Sequence, residues 1–453
     1  MIRIKITIFR IIRYLIMRKI ILWAGGVALG LFLSVSCKMA DKTSPVRDSR
    51  IGSAVASVSI DSIKVYIDEL VSFHTRHTLS SQGSSSEGIG AAMDYLARRC
   101  EAWSRLAPAE RPAPVIEKVM YTVGENGGRY DRVVSVPELM VTLPGTKGER
   151  EILLLAHVDT RVVDVMDSTA FAPGADDDGS GVACLLETVR ILSQIPLEQT
   201  VKCLFVSGEE QGLDGSRHFA RMAKEEGWPV LAVLSNDMIG NTRASGTGLF
   251  EDRKVRVFSV STSGEDSPSR QLARYIKEIS AQYVPEQEVV LNYRSDRYLR
   301  GGDQLPFQQE GFTAIRVCEY CEDYERTHQD VLTKEGIEYG DLSKYVDFPY
   351  LARNIQVNLA AVMNLAMAPS APQNTVIANA RELDNNTILA WDAVPGAEAY
   401  QILCRETFQP EWDILSASEG QLTFSCPLSK DNYYFAVRAL SPGGHPGLPS
   451  VAR

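Results

Sequence analysis

The sequence predicts an α/β protein, a mixed and mostly parallel sheet with helices on both faces, followed by a small all-β sandwich. Three observations carry this expectation. From about Ile60 to Met367, short apolar runs alternate with longer amphipathic stretches, as strands alternate with the helices that cover them. At Ala368-Pro369-Ser370-Ala371-Pro372 the helical periodicity stops, and short alternating runs with turn residues continue to the end. A composition of 45% hydrophobic and 23% charged residues over 453 positions fits a globular chain of more than one domain.

Strand candidates are Leu139–Leu143, Ile152–Ala156, Val201–Ser207, Val230–Ser235, Val255–Ser261 and Ala314–Val317. Helical patterns lie near Gly88–Trp103, Gly181–Leu192, Gly215–Glu226, Pro268–Tyr283 and Tyr345–Met367. Ser80–Gly88 reads as a polar loop, and Leu106–Asp131 is too irregular to assign. The expected division is an export segment over 1–37, a linker over 38–59, an α/β domain over 60–368 and a separable β domain over 369–453. In the last of these, Leu389-Ala390-Trp391, Ala399-Tyr400-Gln401-Ile402 and Tyr433-Tyr434-Phe435-Ala436-Val437 resemble a fibronectin type III module.

At the other end, Arg3, Lys5, Arg10, Arg13, Arg18 and Lys19 precede an apolar run from Ile20 to Val35, then Ser36 and Cys37. A positive flank, an apolar stretch and a small residue form the layout of a secretory signal. Cys37 resembles the acylated residue of bacterial lipoproteins, which implies an exported protein held to the cell envelope by lipid. Export permits disulfides, so the other seven cysteines matter. Cys184 and Cys203 sit in apolar runs, and Cys318-Glu319-Tyr320-Cys321 reads as a local disulfide or two thiols. The net charge of −10 argues against a nucleic-acid partner, which needs a basic face.

Four polar clusters follow apolar runs in the larger domain. Ile152–Ala156 leads into His157-Val158-Asp159, where a neutral imidazole can bind zinc and the nearby carboxylate can hold its other nitrogen. Asp176-Asp177-Asp178 sit in a Gly-rich turn opening a helix, where one acid would serve as a cap and three repel without a cation. Val201–Ser207 runs into Gly208-Glu209-Glu210, which suits one carboxylate on a metal and one accepting a proton from water. Leu231–Ser235 leads to Asn236-Asp237-Met238, and Thr327-His328-Gln329 follows the Ala314–Val317 run. His74, His77, His218 and His445 fit no such pattern and read as structural or exposed.

Taken in order, His-x-Asp, the acidic turn, Glu-Glu, Asn-Asp-Met and the late His closely resemble the bacterial di-zinc aminopeptidases that include leucine-preferring secreted enzymes. The resemblance spans about Val71 to Ala366 and includes Phe73-His74-Thr75-Arg76-His77 and Arg300-Gly301-Gly302-Asp303. It implies two zinc ions, with His157 and Asp237 on one, Glu210 and His328 on the other, and Asp177 bridging. It further implies Glu209 as general base, Asp159 as the carboxylate behind His157, and peptides with a free amino terminus as substrates. Gln304 departs from the His that many relatives carry after Gly-Gly-Asp. Arg297, Tyr298 and Tyr324 are candidates for the group that stabilises the oxyanion. Alternative readings are a glutaminyl cyclase of the same fold, a carboxypeptidase of the same clan, and a non-catalytic surface-binding protein.

Overall fold

The computed structural model describes residues 46–125, 127–261 and 266–453. The export segment and Cys37 lie outside the described residues. Among those described, no helix is long and apolar enough to cross a membrane.

The chain enters through helices α1 (Ser49–Ala56), α2 (Ile60–Ser72) and α3 (Gly88–Ser104), then strands β1 (Val115–Val123), β2 (Val134–Leu143) and β3 (Glu151–His157). There follow α4 (Gly179–Leu192), β4 (Thr200–Val206), the single turn α5 (Glu209–Gly212), α6 (Asp214–Glu225) and β5 (Val230–Asn236). Next come β6 (Lys254–Ser259), α7 (Pro268–Tyr283), β7 (Glu288–Asn292), α8 (Gln304–Gln309), β8 (Ala314–Glu319), the ribbon strands β9 (Thr333–Lys334) and β10 (Ile337–Glu338), and α9 (Phe348–Met367).

One eight-stranded sheet runs β1-β2-β4-β3-β5-β8-β6-β7. Its centre is parallel, β4 with β3, β3 with β5 and β5 with β8, while β1, β2 and β6 bring in antiparallel pairs. Alternation along β3 explains the layering. Ile152 and Leu154 face a core shared with α1, α2, α3, α4, α7 and α9. Leu153 and Leu155 face a second core with Phe219 of α6 and Phe307 of α8. Strands buried on both faces read as nearly unbroken apolar runs, as β3 does and as β4 does apart from Lys202, which is paired with Glu151 at 2.9 Å.

Two expectations need correction. The segment assigned as a linker contains α1, which is capped by Asp48 and buries Ile51, Ala54 and Val55 at helical spacing. The unassigned stretch contains β1, an edge strand whose residues are mostly exposed, so burial imposed no alternation on its sequence.

Beyond Ala368, β11 (Val376–Ile377), β12 (Thr387–Ala390) and β15 (Thr423–Cys426) form one small sheet. β13 (Ala399–Glu406), β14 (Asp413–Ser418), β16 (Tyr433–Leu440) and β17 (Ser450–Val451) form the other, in the order β14-β13-β16-β17. Leu389, Trp391, Tyr400, Ile402, Phe435 and Val437 fill the core between them. This unit is tied to α7 and the turn before it by polar contacts. Arg438 makes two bonds of 2.6 Å to Glu278. Arg405 meets Asp266 at 2.7 and 2.8 Å, and Tyr275 donates to the Pro446 carbonyl at 3.0 Å.

Candidate metal centre

The carboxyl ends of β3, β4 and β5 lie side by side, where side chains that follow parallel strands collect. His157 closes β3, Glu209 and Glu210 begin the turn after β4, and Asp237 follows β5. Asp177 enters from the turn before α4. His328 comes from the loop after β8, with its backbone in the left-handed region at φ 57°.

Each of the three adjacent aspartates has its own task. Asp178 caps α4 by accepting from Gly181 at 2.9 Å, and it also accepts from the His157 amide at 3.2 Å. Asp176 accepts from the Gly240 amide at 2.8 Å. Asp177 alone faces the histidines. Its Oδ1 lies 3.2 Å from His157 Nε2 and its Oδ2 lies 3.0 Å from His328 Nε2. The turn is held by Asp341, which accepts from the Asp176 and Asp177 amides at 3.0 and 2.8 Å. Arg76, fully buried, supports it from below through the Pro173 and Gly174 carbonyls at 2.7 and 2.8 Å.

The remaining contacts complete two groups. His328 Nε2 is 2.8 Å from Glu210 Oε1, and His157 Nε2 is 3.8 Å from Asp237 Oδ1. Asp177, Glu210 and His328 form one set of ligand atoms within 4.8 Å of one another, and His157, Glu209 and Asp237 form another. Ligands ~2.1 Å from one tetrahedral ion stand roughly 3.4 Å apart, so these gaps are of the right size. The donor set fits divalent metal: imidazole nitrogens and carboxylates converge, with Asp177 shared between the two groups.

Electrostatics mark the same residues. Burial alone would raise the Asp177 carboxyl, yet His328 and His157 hold it well below its ordinary range. Burial opposes protonation of His328, but Glu210 and Asp177 carry it up to about 10. Arg161 lies 2.8 Å from His328 Nδ1, a contact only the neutral Nε2–H ring can accept. Two carboxylates on Nε2 outweigh that single contact, so Arg161 is the partner that gives way. Burial pushes the Glu209 carboxyl well above its ordinary value, against the pull of His157.

Asp159 requires a correction. Its backbone carbonyl, not its carboxylate, meets His157 Nδ1, at 3.0 Å against 3.7 Å. The carboxylate instead accepts from the Glu209 and Glu210 amides at 3.3 and 3.1 Å and from Thr78 Oγ1 at 3.1 Å. It therefore fixes the Glu-Glu turn, which Gly208 enters at φ 78°. A Cβ there would meet the Tyr121 hydroxyl at 2.8 Å, so the tight entry needs glycine.

Other residues escaped the sequence reading. Arg316 is fully buried in β8, 3.0 Å from Asp237 Oδ2 and 3.3 Å from Asp296. A charge inside the apolar Ala314–Val317 run was the available signal, because such a group needs a buried partner. Arg161 gave no signal, yet its Nε lies 3.2 Å from Glu210 Oε2. Among the oxyanion candidates, Arg297 and Tyr324 line the cleft of about 890 Å³ over the centre. Arg297 is already engaged by Asp296 at 3.2 Å, and Tyr298 is 74% exposed. The four other histidines stay outside the two groups, and Cys318 and Cys321 are free thiols, as are the other described cysteines.

A mixed sheet that gathers two histidines and four carboxylates in the turns and loops beyond its parallel strands defines a metal-dependent hydrolase. The chain belongs to peptidase family M28, whose family model matches residues 138–346. It is 37% identical to a probable zinc metalloprotease of Leptosphaeria maculans, over 87% of this chain and 95% of the relative. A probable zinc metalloprotease of Pyricularia oryzae is 36% identical over 88% of this chain and 83% of the relative. These relatives are fungal, where the motif resemblance pointed to bacterial enzymes; the bacterial likeness is one of fold. LapA aminopeptidase of Legionella pneumophila superposes with a TM-score of 0.54 at 20% identity, covering 71% of this chain and 76% of that one. A glutaminyl cyclase of Fimbriiglobus ruber superposes at 0.50 with 16% identity, covering 68% and 95%.

Proposed function

We propose that this chain is a two-zinc aminopeptidase that removes residues from the free amino terminus of peptides. The observation that carries the reading is Asp177, with one oxygen toward each histidine at 3.2 and 3.0 Å. His157 and Asp237 would hold one ion, Glu210 and His328 the other, and Asp177 both. Bound zinc supplies Lewis acidity toward a peptide carbonyl and a water of lowered pKa. Glu209 lines the cleft without a place in that ligand set, and its carboxylate can take a proton from water and hand it to the departing amine. Asp159 holds the turn that aims it. The ordered motifs shared with leucine-preferring enzymes support the aminopeptidase assignment.

The same proposal extends to the two ends of the chain. Cys37 would carry lipid and hold the exported protein on the cell envelope, and residues 369–453 would be a fibronectin type III module. Cys37→Ser should then move the protein from the membrane fraction to the soluble one.

The reaction is tested by mass analysis of peptides, free or acetylated at the amino terminus, some beginning with Leu and some with Gln. Stepwise loss of residues from the free peptides alone is expected. Loss of ammonia confined to Gln-initiated peptides would make it a cyclase. Trimming from the other end would make it a carboxypeptidase.

A further inference from the structure

Four arginines, Arg129, Arg161, Arg297 and Arg300, line the cleft over the metal-binding groups. They are not equally engaged. Arg297 and Arg300 share Glu322 at 3.5 and 2.7 Å, and Arg297 also meets Asp296. Arg161 has Glu210 as its carboxylate partner, at 3.2 Å, and otherwise contacts His328 Nδ1 at 2.8 Å. Arg129 is exposed and donates to the Glu210 backbone carbonyl at 2.7 Å.

With metal bound, His328 offers Arg161 no acceptor. A histidine bound through Nε2 keeps its remaining proton on Nδ1, and a guanidinium has only protons to offer it. Arg161 is then left with the Glu210 carboxylate, 3.2 Å away, which it would share with a cation. Charge counting points the same way. The lining carboxylates are Asp177, Glu209, Glu210 and Asp237, and two divalent ions cancel all four. Four arginines then remain against Glu322 and Asp296, so the loaded cleft keeps a cationic excess within a chain of net charge −10.

We propose that Arg161 and Arg129 form a carboxylate-binding subsite beside the metal pair, so that the substrates are peptides carrying a carboxylate within its reach. This rests on the peptidase reading above. The carboxylate can come from an acidic side chain near the scissile bond or from the α-carboxylate of a short peptide. Arg recognises either by paired N–H donors, and such charge-assisted bonds are the strong ones.

The test uses the full zinc-loaded protein carrying Glu209→Gln, with binding followed by calorimetry and zinc content confirmed beside it. Leu-Glu-Ala amide is compared with Leu-Gln-Ala amide for the side-chain source, and Leu-Ala acid with Leu-Ala amide for the α-carboxylate. The acid member of at least one pair should bind about 10- to 100-fold more tightly, the usual yield of a hydrogen bond to a charged group. Arg161→Gln and Arg129→Gln should each shrink that ratio, and Arg161→Lys should restore part of it. Equal affinity within both pairs, or a preference untouched by either arginine substitution, overturns the subsite. The same pairs are then offered to protein with Glu209 intact. Acid preference in binding without cleavage of any peptide would sink the peptidase reading and leave the subsite standing. Cleavage without acid preference would do the reverse.

Discussion

Asp177 stands between His157 and His328 with one carboxylate oxygen toward each, at 3.2 and 3.0 Å. A side chain so placed serves both groups at once, and its amide is pinned by Asp341 at 2.8 Å. Asp177→Asn keeps the shape but removes the shared negative charge and turns one arm into a donor. Zinc content should fall from two per chain to one or fewer, with turnover lost by at least ~10³-fold, as expected when charge stabilisation at the reacting centre goes. Elemental analysis beside peptide hydrolysis checks this. Two retained zincs would mean that Asp177 is not the bridge.

The adjacent glutamates should separate cleanly. Glu210 approaches His328 Nε2 at 2.8 Å, whereas Glu209 lines the cleft with its carboxyl raised by burial. Glu210→Ala should bring the zinc count toward one. Glu209→Ala should keep both and lose ~10²–10⁴ in kcat, the usual contribution of a general base. Glu209 also lies within 4.8 Å of His157 and Asp237, so its zinc count is the decisive measurement. Zinc loss from the Glu209 variant alone would make it a ligand rather than a base.

What could be read in the sequence followed from burial. Parallel strands covered on both faces need unbroken apolar runs, so β3, β4 and β5 stood out, and the polar residues ending them marked the centre. His328 was found through its place in the motif order, since its loop has no periodicity. Partners that act from a distance in sequence were invisible: Arg161, Arg316 and Asp341 reach the site from separate elements. Asp159 was located correctly but given the wrong atom, because which oxygen meets an imidazole depends on the local bend of the chain. Edge strand β1 failed for the opposite reason, as exposure leaves composition unconstrained.

Arg316 gives a stability prediction. It is fully buried against Asp237 and Asp296, and removing one member of a buried pair strands the other charge. Arg316→Met should destabilise the metal-free protein by about 3–5 kcal/mol. With zinc bound the loss should be smaller, because Asp237 then keeps a cationic partner. Denaturant unfolding with and without zinc gives the comparison. An equal loss in both states would place Asp237 outside the metal set.

The boundary at Pro369 can be tested against the contacts that cross it. Removing residues 369–453 takes Arg438 from Glu278 and Arg405 from Asp266, and uncovers Tyr275. The shortened chain keeps all the candidate metal ligands. It should stay active while folded but melt earlier, at roughly 2–4 °C for each kcal/mol lost. A truncated chain that folds with unchanged Tm would show these contacts to be energetically silent. One that folds but does not hydrolyse peptides would place part of the active site in the β domain.

Zinc binding should be coupled to protons, with a sign fixed by the two histidines. His328 is carried up to about 10 by Glu210 and Asp177 against its burial. His157 is likewise raised well above its ordinary value, burial opposing and Asp177 and Asp237 prevailing. Near neutral pH the metal-free protein therefore holds an extra proton on each ring, and a metal ion must displace it to reach the Nε2 lone pair. Loading both positions should release about two protons, so affinity rises with pH across the neutral range. Folding stability follows the same logic. A folded-state pKa above the unfolded value of ~6.5 makes the His328 contribution complete below that pH and lost as pH rises toward 10. Zinc replaces the proton as the cation between Asp177 and Glu210, so the gap in Tm between loaded and metal-free protein should widen from pH 6 to pH 9. Calorimetry in buffers of different ionisation heat counts the protons, and melting curves across that range report the gap. A zinc-induced Tm shift independent of pH, or heats that do not change with buffer, would mean that the rings are already neutral before metal arrives.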